Sequence, residues 1–579
     1  MSYAKYGNYD KLPLIDMKRE CLRGYKEIAE EIRRRAEGKK KFVVLLDCYV
    51  GADTSEIEKG FGKFLKFSKV YRSEDCAKES KVLDAELYDY LTDDRVFGFM
   101  CHKTLDFLFD AEKVSKAKEK IAAEKDGMIL VIGVGAGYLC ESYDVRIFAD
   151  MARWEIQLRY RKGMPNFNTH NEEAPVLSKY KRGFFVEWRM CDKYKMKYWD
   201  TFDYVLDTNK QNDPKMISGK DFFDCLKTLT VRPFRLTPYF DPGVWGGQWM
   251  KDVCGLDKNE KNFAWSFDGV PEENSVNFKF GDAVVELPAI NTVLYAPRGL
   301  LGDKVHARFG TEFPIRFDFL DTIEGQNLSL QVHPLTEYIQ KTFGMNYTQD
   351  ESYYILDTKG EDTCVYLGVK KDVDKAAMER DLYAAQRGEI IFPDEKYVNR
   401  LPVKKHDHVL IPAGTVHCSG TNTMVLEISA TPYIFTFKLW DWARLGLDGL
   451  PRPTHIAHGM QNIQFDRDTD WVKENLVHRE VTLCENENGK IERTGLHKRE
   501  FIETRRYTTK SEICVDRTDS VCMCNLVDGK EARVESISGK FEPFTVHYAE
   551  TFIVPYDAGE WKLVSPDGSE VRAIVATVR

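Results

Sequence analysis

The first 235 residues alternate apolar runs with charged amphipathic segments. The runs "KKFVVLLDC" (40–48), "GMILVIGVGAG" (127–137) and "DVRIFADM" (144–151) predict strands, and "KVSKAKEKIAAEK" (113–125) predicts a helix. Strands separated by helices are typical of α/β domains with a mostly parallel sheet. We therefore predict an α/β domain over residues 1–235.

After residue 236 the pattern changes to short runs in which apolar and polar residues alternate, such as "FPIRFDFLDT", "ESYYILDT" and "TMVLEISATPYIFTFKLW". Alternation with a period of two predicts antiparallel strands of an all-β sandwich or barrel. One helical segment, 372–388, interrupts these strands, and short strands with turn residues return from about residue 480. We predict one β domain over 236–475 and a second, smaller β domain over 476–579.

The length of the chain fits this division into domains, and its charge indicates the class of ligand. At about 150 residues per domain, 579 residues suit three or four domains. Lys and Arg number 83 against 92 Asp and Glu, which leaves a net charge of −9. Such a chain has no basic field to attract nucleic acid or an anionic membrane, so a small-molecule ligand is favoured.

Cysteine usage and the amino terminus indicate a cytoplasmic protein. The 14 cysteines are scattered without a C-x-x-C pair, as in a reduced protein, and Cys522 and Cys524 fit two buried thiols. The amino terminus lacks the apolar core of a secretory signal, and no apolar stretch reaches the roughly 18 residues of a membrane span. We expect no membrane partner, and a homo-oligomer is compatible with the sequence.

The stretch "LSLQVHP" (328–334) raises the question of a metal site. In a strand, Gln331 and His333 point to one face about 7 Å apart. Glu351 opens a later strand and His417 lies in "IPAGTVHCSG". Two histidines, a carboxylate and an amide oxygen suit zinc, with manganese, iron or cobalt as alternatives. A single strand histidine is more often structural, so the joint pattern carries the hypothesis.

The segments "VWGGQW", "LLGDKV", "NLSLQVHP", "ESYYILD" and "HVLIPAGTVHCSG" occur in this order within residues 240–475. Together they resemble the class I mannose-6-phosphate isomerase family, which are zinc-dependent cupins. The resemblance implies a cupin jelly-roll fold, one zinc ion bound by Gln331, His333, Glu351 and His417, and interconversion of mannose 6-phosphate and fructose 6-phosphate.

The sequence departs from that family at two positions. Gln349 stands where members usually have a lysine, and Lys438 stands where they usually have an arginine. A lysine keeps the charge but loses the planar fork that holds a phosphate or sugar oxygen through two hydrogen bonds. The alternative function is therefore a non-catalytic sensor that binds a sugar phosphate.

For the isomerase, Lys438 and Arg444 are the candidate phosphate cations and Ser329 a hydroxyl contact. Glu427 is a candidate base, or else orients Lys438. Arg444 is equally well explained by an ion pair with Asp441.

Two other histidine groups have simpler interpretations than a metal. The run "HDH" at 406–408 is interpreted as a solvated turn, and a second metal at His455 and His458 is disfavoured.

The first strand of the α/β domain is not followed by the phosphate-binding motif that a nucleotide kinase has at this place. After "VVLLDC" there is no Gly-Lys-Ser/Thr, and Asp47 and Asp53 would repel a phosphate. The segment from 127 resembles the second half of uridine-kinase-like P-loop proteins, with Arg153, Arg159 and Arg161 on its helix. We predict a degenerate, P-loop-kinase-like domain without ATP hydrolysis, in which "GVGAG" is a glycine turn and not a dinucleotide site.

Overall fold

The computed structural model describes residues 6–579 except 431, 432, 434, 448, 450, 496 and 518. Contacts divide the chain into two compact units. The α/β unit comprises Leu14–Thr228 and Ser275–Tyr295, and the β unit comprises Met1–Pro13, Leu229–Asn274 and Ala296–Arg579. The α/β unit is therefore discontinuous in sequence, and the division into three domains at 235 and 475 stays a prediction.

Residues 14–231 contain the following strands: β1 Leu14–Asp16, β2 Leu22–Arg23, β3 Lys41–Cys48, β4 Lys69–Arg72, β5 Gly127–Val134, β6 Val145–Asp150, β7 Tyr204–Asp207 and β8 Lys215–Ser218. The helices of this segment are α1 Gly24–Ala36, α2 Thr54–Gly62, α3 Ser80–Glu86, α4 Tyr88–Leu91, α5 Ala111–Ala123, α6 Arg153–Arg161, α7 Val176–Arg182, α8 Trp188–Tyr198 and α9 Gly219–Val231. A π-helical turn, Gly183–Glu187, joins α7 to α8.

Residues 239–295 contain β9 Tyr239–Asp241, β10 Trp265–Gly269, β11 Ser275–Phe280 and β12 Ala283–Pro288, with helices α10 Trp249–Val253 and α11 Ile290–Tyr295. From 297 to 475 the strands are β13 Arg316–Asp321, β14 Leu330–Val332, β15 Asp350–Thr358, β16 Cys364–Val369, β17 Val398–Pro402, β18 His408–Ile411, β19 His417–Ser419, β20 Thr423–Ala430 and β21 Phe437–Trp440. The helices there are α12 Pro297–Leu301, α13 Asp303–Phe309, α14 Thr336–Phe343, α15 Lys375–Gln386, α16 Asp394–Tyr397, α17 Ile456–Asn462 and α18 Thr469–Asn475.

The remaining strands are β22 Val481–Asn486, β23 Gly489–Gly495, β24 Ile502–Thr509, β25 Glu512–Val515, β26 Cys522–Asp528, β27 Glu531–Ser536, β28 Phe544–His547, β29 Thr551–Val554, β30 Trp561–Val564 and β31 Val571–Val578. Short 3-10 turns are Ser73–Cys76, Leu105–Leu108, Ala136–Tyr138, Trp199–Thr201 and Tyr556–Ala558. Throughout the described part of the chain, helices fall short of the length and apolarity that a membrane crossing requires.

The α/β unit is built on a seven-stranded sheet of order β2-β8-β7-β6-β3-β5-β4. The strands from β7 to β4 run parallel, whereas at one edge β8 pairs antiparallel with β7 and β2 pairs antiparallel with β8. The central strand β3 is buried from Phe42 to Cys48, as a strand covered by helices on both faces must be. The predicted α/β class and its parallel sheet are confirmed.

The helix predicted at 113–125 forms two residues earlier, at Ala111–Ala123. Its start is set by Asp110, whose side chain accepts a hydrogen bond from the backbone N–H of Lys113 at 3.0 Å. Ala117 and Ile121, four residues apart, bury one face of the helix, and the lysines lie outside.

A buried ion pair ties the discontinuous segment into the α/β unit. Lys195 lies 3.1 Å from Asp150 Oδ1, and both side chains are about 1% exposed. Asn291, from the segment 275–295, accepts a hydrogen bond from Lys195 at 2.6 Å and donates one to Asp150 at 2.8 Å. Each charge is thus paired and hydrogen-bonded, which a charge needs when it is removed from water.

The β unit contains two pairs of sheets. In the first pair, a six-stranded sheet of order β18-β15-β20-β13-β10-β9 accompanies a five-stranded sheet of order β17-β16-β19-β14-β21. In the second, the orders are β22-β23-β24-β31-β26-β29 and β25-β30-β27-β28. The alternating pattern after residue 236 therefore predicted the β class correctly.

Two local features of the β unit agree with the sequence. The predicted helical insertion forms as α15, whose amino terminus is capped by Asp374 through a hydrogen bond from the N–H of Ala377 at 3.1 Å. Cys522 and Cys524 are buried in the core of the second pair of sheets, together with Trp561. Both thiols therefore fill apolar space.

The buried triad of the α/β unit generates a stability prediction. Lys195→Met leaves the Asp150 carboxylate without its cation, so the free energy of opening around β6 should fall by about 3–5 kcal/mol. Hydrogen exchange of peptides covering Val145–Asp150 measures this change. Lys197→Met, on the exposed side of the same helix, is the control and should change it by less than about 0.5 kcal/mol. Equal protection in the two variants would contradict a stabilising role for the triad.

Candidate metal centre

Strand pairing brings the four predicted metal ligands to one place. Gln331 on β14 is paired with His417 on β19, and His333 follows at the end of the same strand. Glu351, at the start of β15, belongs to the other sheet, where it is paired with Ser429 on β20. The inner faces of the two sheets therefore meet at these side chains.

The ligand atoms lie within hydrogen-bonding distance of one another. The Nε2 atom of His333 is 3.1 Å from Glu351 Oε2, and the Nε2 atom of His417 is 2.8 Å from Glu351 Oε1. The side-chain amide of Gln331 is 3.2 Å from His417 Nε2. His333, Glu351 and His417 are completely buried, and their ligand atoms all lie within 4.8 Å of one another.

Backbone carbonyls decide which nitrogen of each histidine carries the proton. The Nδ1 atom of His333 is 2.8 Å from the carbonyl of Phe435, and that of His417 is 2.9 Å from the carbonyl of Thr415. A carbonyl only accepts hydrogen bonds, so each Nδ1 is protonated and each neutral ring presents a lone pair at Nε2.

These lone pairs point at a carboxylate, which also has only lone pairs to offer. With both rings neutral, neither His333 Nε2 nor Glu351 Oε1 has a hydrogen-bond partner, despite the short distances to Glu351 Oε2 and His417 Nε2, respectively. Such an arrangement is repulsive unless a positive charge lies among the three side chains, either as protons on the rings or as a metal cation. The donor set therefore fits a metal ion, and among the described residues His333, Glu351 and His417 are the one group found to do so.

The acid-base properties of the cluster show the same demand for positive charge. Burial opposes ionisation of Glu351, but the positive charge that His333 and His417 carry when protonated holds its pKa well below the ordinary value. Burial alone would lower the pKa of His333, but the carboxylate of Glu351 raises it instead. A cation at this point is thus stabilised by the carboxylate even though the site is removed from water.

Gln349 holds two of these ligands in position. Its side-chain NH2 group donates to Glu351 Oε2 at 3.0 Å, and its oxygen accepts a hydrogen bond from the N–H of Phe435 at 3.2 Å. The carbonyl of Phe435 in turn accepts the Nδ1 proton of His333. The sequence marked position 349 only as a missing lysine, and its orienting contact was not anticipated because Phe435 is distant along the chain.

Two of the four predicted catalytic residues lie beside the cluster. Lys438, on β21, is paired with Gln331 and is half-buried. Glu427, on β20, is paired with Tyr353 and is buried on the same sheet as Glu351. Burial and the nearby carboxylates of Glu351 and Asp318 raise the pKa of Glu427 well above its ordinary value.

The other two, Ser329 and Arg444, belong to a cluster around Asp441. The Ser329 hydroxyl donates to Asp441 Oδ1 at 2.8 Å and accepts a hydrogen bond from Arg452 at 3.1 Å. Arg444 and Arg452 contact the two oxygens of Asp441 at 2.5 and 2.7 Å. The alternative of an Arg444–Asp441 ion pair is therefore correct, and Arg452 is an addition that no motif in the sequence indicated.

His406, His408 and His458 each contact a side-chain hydroxyl group. His408 is buried and lies 2.9 Å from the hydroxyl of Ser352, and His406 lies 2.9 Å from the hydroxyl of Tyr354. The prediction for "HDH" is correct for the turn, which forms at Lys405 and His406, but wrong for the solvation of His408, whose ring is buried against β15. His458 contacts the hydroxyl of Tyr338 at 2.6 Å.

Polar residues that the sequence singled out in the α/β unit are engaged within that unit. Asp53 caps α2 by accepting a hydrogen bond from the N–H of Glu56 at 2.9 Å. Arg159 donates to the carbonyl of Thr208 at 2.7 Å, and Arg161 lies over the ring of Trp154. Two ion pairs are buried: Asp47 with Arg146 at 2.7 Å and Arg153 with Asp192 at 2.5 Å.

Comparison with known proteins distinguishes the two parts of the sequence. A family model described as a domain of unknown function, DUF8485, matches residues 24–231. Mannose-6-phosphate isomerase ManA of Bacillus subtilis (strain 168) is 22% identical over 336 residues, which are 58% of this chain and 96% of the relative. The mannose-6-phosphate isomerase of Streptococcus mutans is 24% identical over 232 residues, 40% of this chain and 67% of the relative. Over about 58% of its length the chain is thus homologous to mannose-6-phosphate isomerases.

Among solved structures, the mannose 6-phosphate isomerase from Bacillus subtilis aligns with a TM-score of 0.48 at 18% identity, covering 60% of this chain and 99% of that chain. A single-residue mutant of phosphomannose isomerase from Salmonella typhimurium aligns with a TM-score of 0.45 at 13% identity, covering 60% and 99%.

The cluster around Asp441 generates a second stability prediction. Asp441→Leu leaves two largely buried guanidinium groups, Arg444 and Arg452, without their carboxylate. We expect the free energy of unfolding of the β unit to fall by about 3 kcal/mol, measured by urea denaturation. Glu389→Leu breaks an ion pair with Arg387 in which both side chains are more than half exposed, and should have no measurable effect. Similar losses in both variants would contradict the importance of burial.

Proposed function

We propose that the β unit is a metal-dependent aldose-ketose isomerase of the class I mannose-6-phosphate isomerase type. Its reaction is the interconversion of mannose 6-phosphate and fructose 6-phosphate. The observation that carries the proposal is the buried set of His333, Glu351 and His417, in which two imidazole lone pairs face one carboxylate. Homology to proteins named mannose-6-phosphate isomerase supplies the reaction.

The metal is proposed to be one zinc ion, held by His333, His417, Glu351 and the amide oxygen of Gln331. Two nitrogen and two oxygen donors suit zinc, and both histidines have the backbone hydrogen bonds that keep Nε2 free for a metal. Held by these residues, a zinc ion would supply Lewis-acid stabilisation of the negative charge that develops on the C1 and C2 oxygens of the substrate.

Glu427 is the proposed base for proton transfer between C1 and C2. Its carboxyl is buried among other carboxylates, which raises its pKa well above the ordinary value, so a proton taken from one carbon is held on Glu427 and returned to the other. The Tyr353 hydroxyl stays protonated beside it, because burial and the charges of Glu351 and Glu427 raise its pKa well above the ordinary value. Tyr353 is therefore a hydrogen-bond donor next to the proton-transfer site.

The phosphate is proposed to bind on the side of the five-stranded sheet. Lys438 and Arg444 supply positive charge there, and Ser329 supplies a hydroxyl. Arg444 and Ser329 both contact Asp441. Lys438 is instead paired with the candidate ligand Gln331 on the adjacent strand. Lys438 in place of an arginine offers a single ammonium group, which binds phosphate without fixing its orientation.

For the α/β unit we propose a degenerate, P-loop-kinase-like domain without ATP hydrolysis. The parallel sheet supports this assignment, as does the turn after β3, where Asp53 caps α2 and no lysine is present. A carboxylate at that helix start opposes the binding of a phosphate.

Catalysis by the proposed centre is directly testable. The zinc-loaded protein should convert mannose 6-phosphate to fructose 6-phosphate, and a coupled enzymatic assay measures the product. His417→Ala removes a ligand and should lower kcat/KM by about 100-fold or more, with loss of bound zinc measured by elemental analysis. His478→Ala, an exposed histidine, is the control and should change neither value.

A protein that binds zinc and hexose phosphates but turns over none of them would be a sensor instead. In that case Gln349→Lys combined with Lys438→Arg, which restores the family's usual residues, should create activity. Turnover by the unaltered protein would exclude the sensor.

The orienting role of Gln349 leads to a separate prediction about the metal. Gln349→Leu removes the hydrogen bond to Glu351, so the affinity for zinc should fall about 10- to 100-fold. Competition with a chelating dye measures the affinity independently of turnover. Gln340→Leu, on the exposed face of α14, provides the matched control. Unchanged affinity in the Gln349 variant would mean that Glu351 is positioned by its strand alone.

A further inference from the structure

The inner face of the six-stranded sheet carries polar groups beyond the metal ligands. On neighbouring strands, Asp318, Glu427 and Tyr353 form one row, and Arg316, Ser429 and Glu351 form the next. Residues paired across strands point to the same face, so all six side chains face the same interior. Each is less than a tenth exposed.

Besides Oε1 of Glu351, three side-chain atoms in these rows form no hydrogen bond with other described residues. They are the hydroxyl of Tyr353, which lies beside the Glu351 carboxylate, the hydroxyl of Ser429 and Oδ1 of Asp318. A buried polar atom without a partner is costly, and most such atoms in folded proteins are satisfied by water or by a ligand. Three of them on one face, next to Glu351, indicate that the interior is built for a polar occupant.

Asp318 is held in place by groups that the occupant need not supply. Arg316 donates to Asp318 Oδ2 at 2.6 Å, and its guanidinium also lies over the ring of Phe267 at 5.4 Å. The second oxygen of Asp318 is left available at a fixed position. A carboxylate anchored at one oxygen and available at the other is a rigid acceptor for a hydroxyl group.

The charges near this point select the kind of occupant. Glu351, Glu427 and Asp318 line the interior here, and the guanidinium of Arg316 is already engaged by Asp318. An anionic group such as a phosphate would be repelled. Hydroxyl groups are neutral and can both donate to Asp318 and accept from Tyr353, so they satisfy both kinds of unpartnered atom.

We infer that Asp318, Tyr353 and Ser429 form a subsite that recognises the non-reacting hydroxyl groups of the sugar. This inference rests on the proposed function and deepens it. The phosphate then lies toward Lys438 on the facing sheet, and the carbon chain between them extends along the six-stranded sheet. The three residues are specificity-determining residues, because they bind hydroxyls that take no part in proton transfer.

Binding of deoxy sugars tests the subsite. Calorimetry on the zinc-loaded protein compares mannose 6-phosphate with its 3-deoxy and 4-deoxy analogues. We expect at least one analogue to bind about 10- to 100-fold more weakly than mannose 6-phosphate, because it leaves a buried group unpaired. In Asp318→Asn or Tyr353→Phe, this ratio should fall to within about 3-fold of one.

Ser352→Ala is the matched control, since Ser352 lies on β15 between Glu351 and Tyr353 but contacts His408 on the opposite face. It should keep the ratio of the unaltered protein. Ser429→Ala removes a hydroxyl that has no partner, so it should not lower the melting temperature of the ligand-free protein. It should reduce the increase in melting temperature caused by mannose 6-phosphate.

Two results would overturn the inference. One is equal binding of all three ligands by the unaltered protein, which would mean that water alone fills the interior. The other is an unchanged ratio in both Asp318→Asn and Tyr353→Phe. Absence of turnover together with hydroxyl-selective binding would instead refute the isomerase and leave the subsite supported, so the two failures are distinguishable.

Discussion

The carboxylate of Glu351, enclosed between two histidine rings, is the interaction on which the rest of the β unit's interior depends. Because backbone carbonyls accept hydrogen bonds from the Nδ1–H groups of His333 and His417, both rings present Nε2 toward Glu351. Three buried groups that all offer lone pairs need a cation among them. The fold therefore creates a demand for positive charge that a metal ion can meet, and Gln349 keeps the carboxylate oriented toward it.

Around that point the two facing sheets carry different chemistry. The five-stranded sheet presents the amide of Gln331 and the ammonium group of Lys438, which are paired on adjacent strands. The six-stranded sheet presents carboxylates, of which Glu427 and Asp318 are paired directly. A ligand with an anionic end and a hydroxyl-rich end matches this division, since each end meets groups of suitable charge. A sugar phosphate has both ends, which links the proposed reaction to the proposed hydroxyl subsite.

The α/β unit follows a different principle. Several of its buried charged side chains are paired with each other: Asp47 with Arg146, and Lys195 with Asp150, where Asn291 bonds to both partners. Such pairs contribute little net stability when compared with apolar residues, but removing one partner is costly. The charged residues that first suggest a nucleotide site are in this way accounted for by internal contacts of the unit.

The classes of structure and four candidate metal ligands could be predicted from the sequence alone. Periodicity separated the α/β part from the β part, because buried parallel strands are continuously apolar and half-buried strands alternate. The spacing of Gln331 and His333 and the family resemblance of the segments around Glu351 and His417 predicted these four side chains. In the structure, the ligand atoms of His333, Glu351 and His417 lie within 4.8 Å of one another. The contacts between segments that are distant in sequence became visible only in the folded chain. These contacts depend on sheet register and on the path of the chain. They include the hydrogen bond between Gln349 and Phe435, the ion pair between Arg452 and Asp441, and the inclusion of residues 275–295 in the α/β unit. Local patterns encode which face of a strand is buried, but not which distant strand lies beside it, and for that reason these contacts could not be predicted from the sequence.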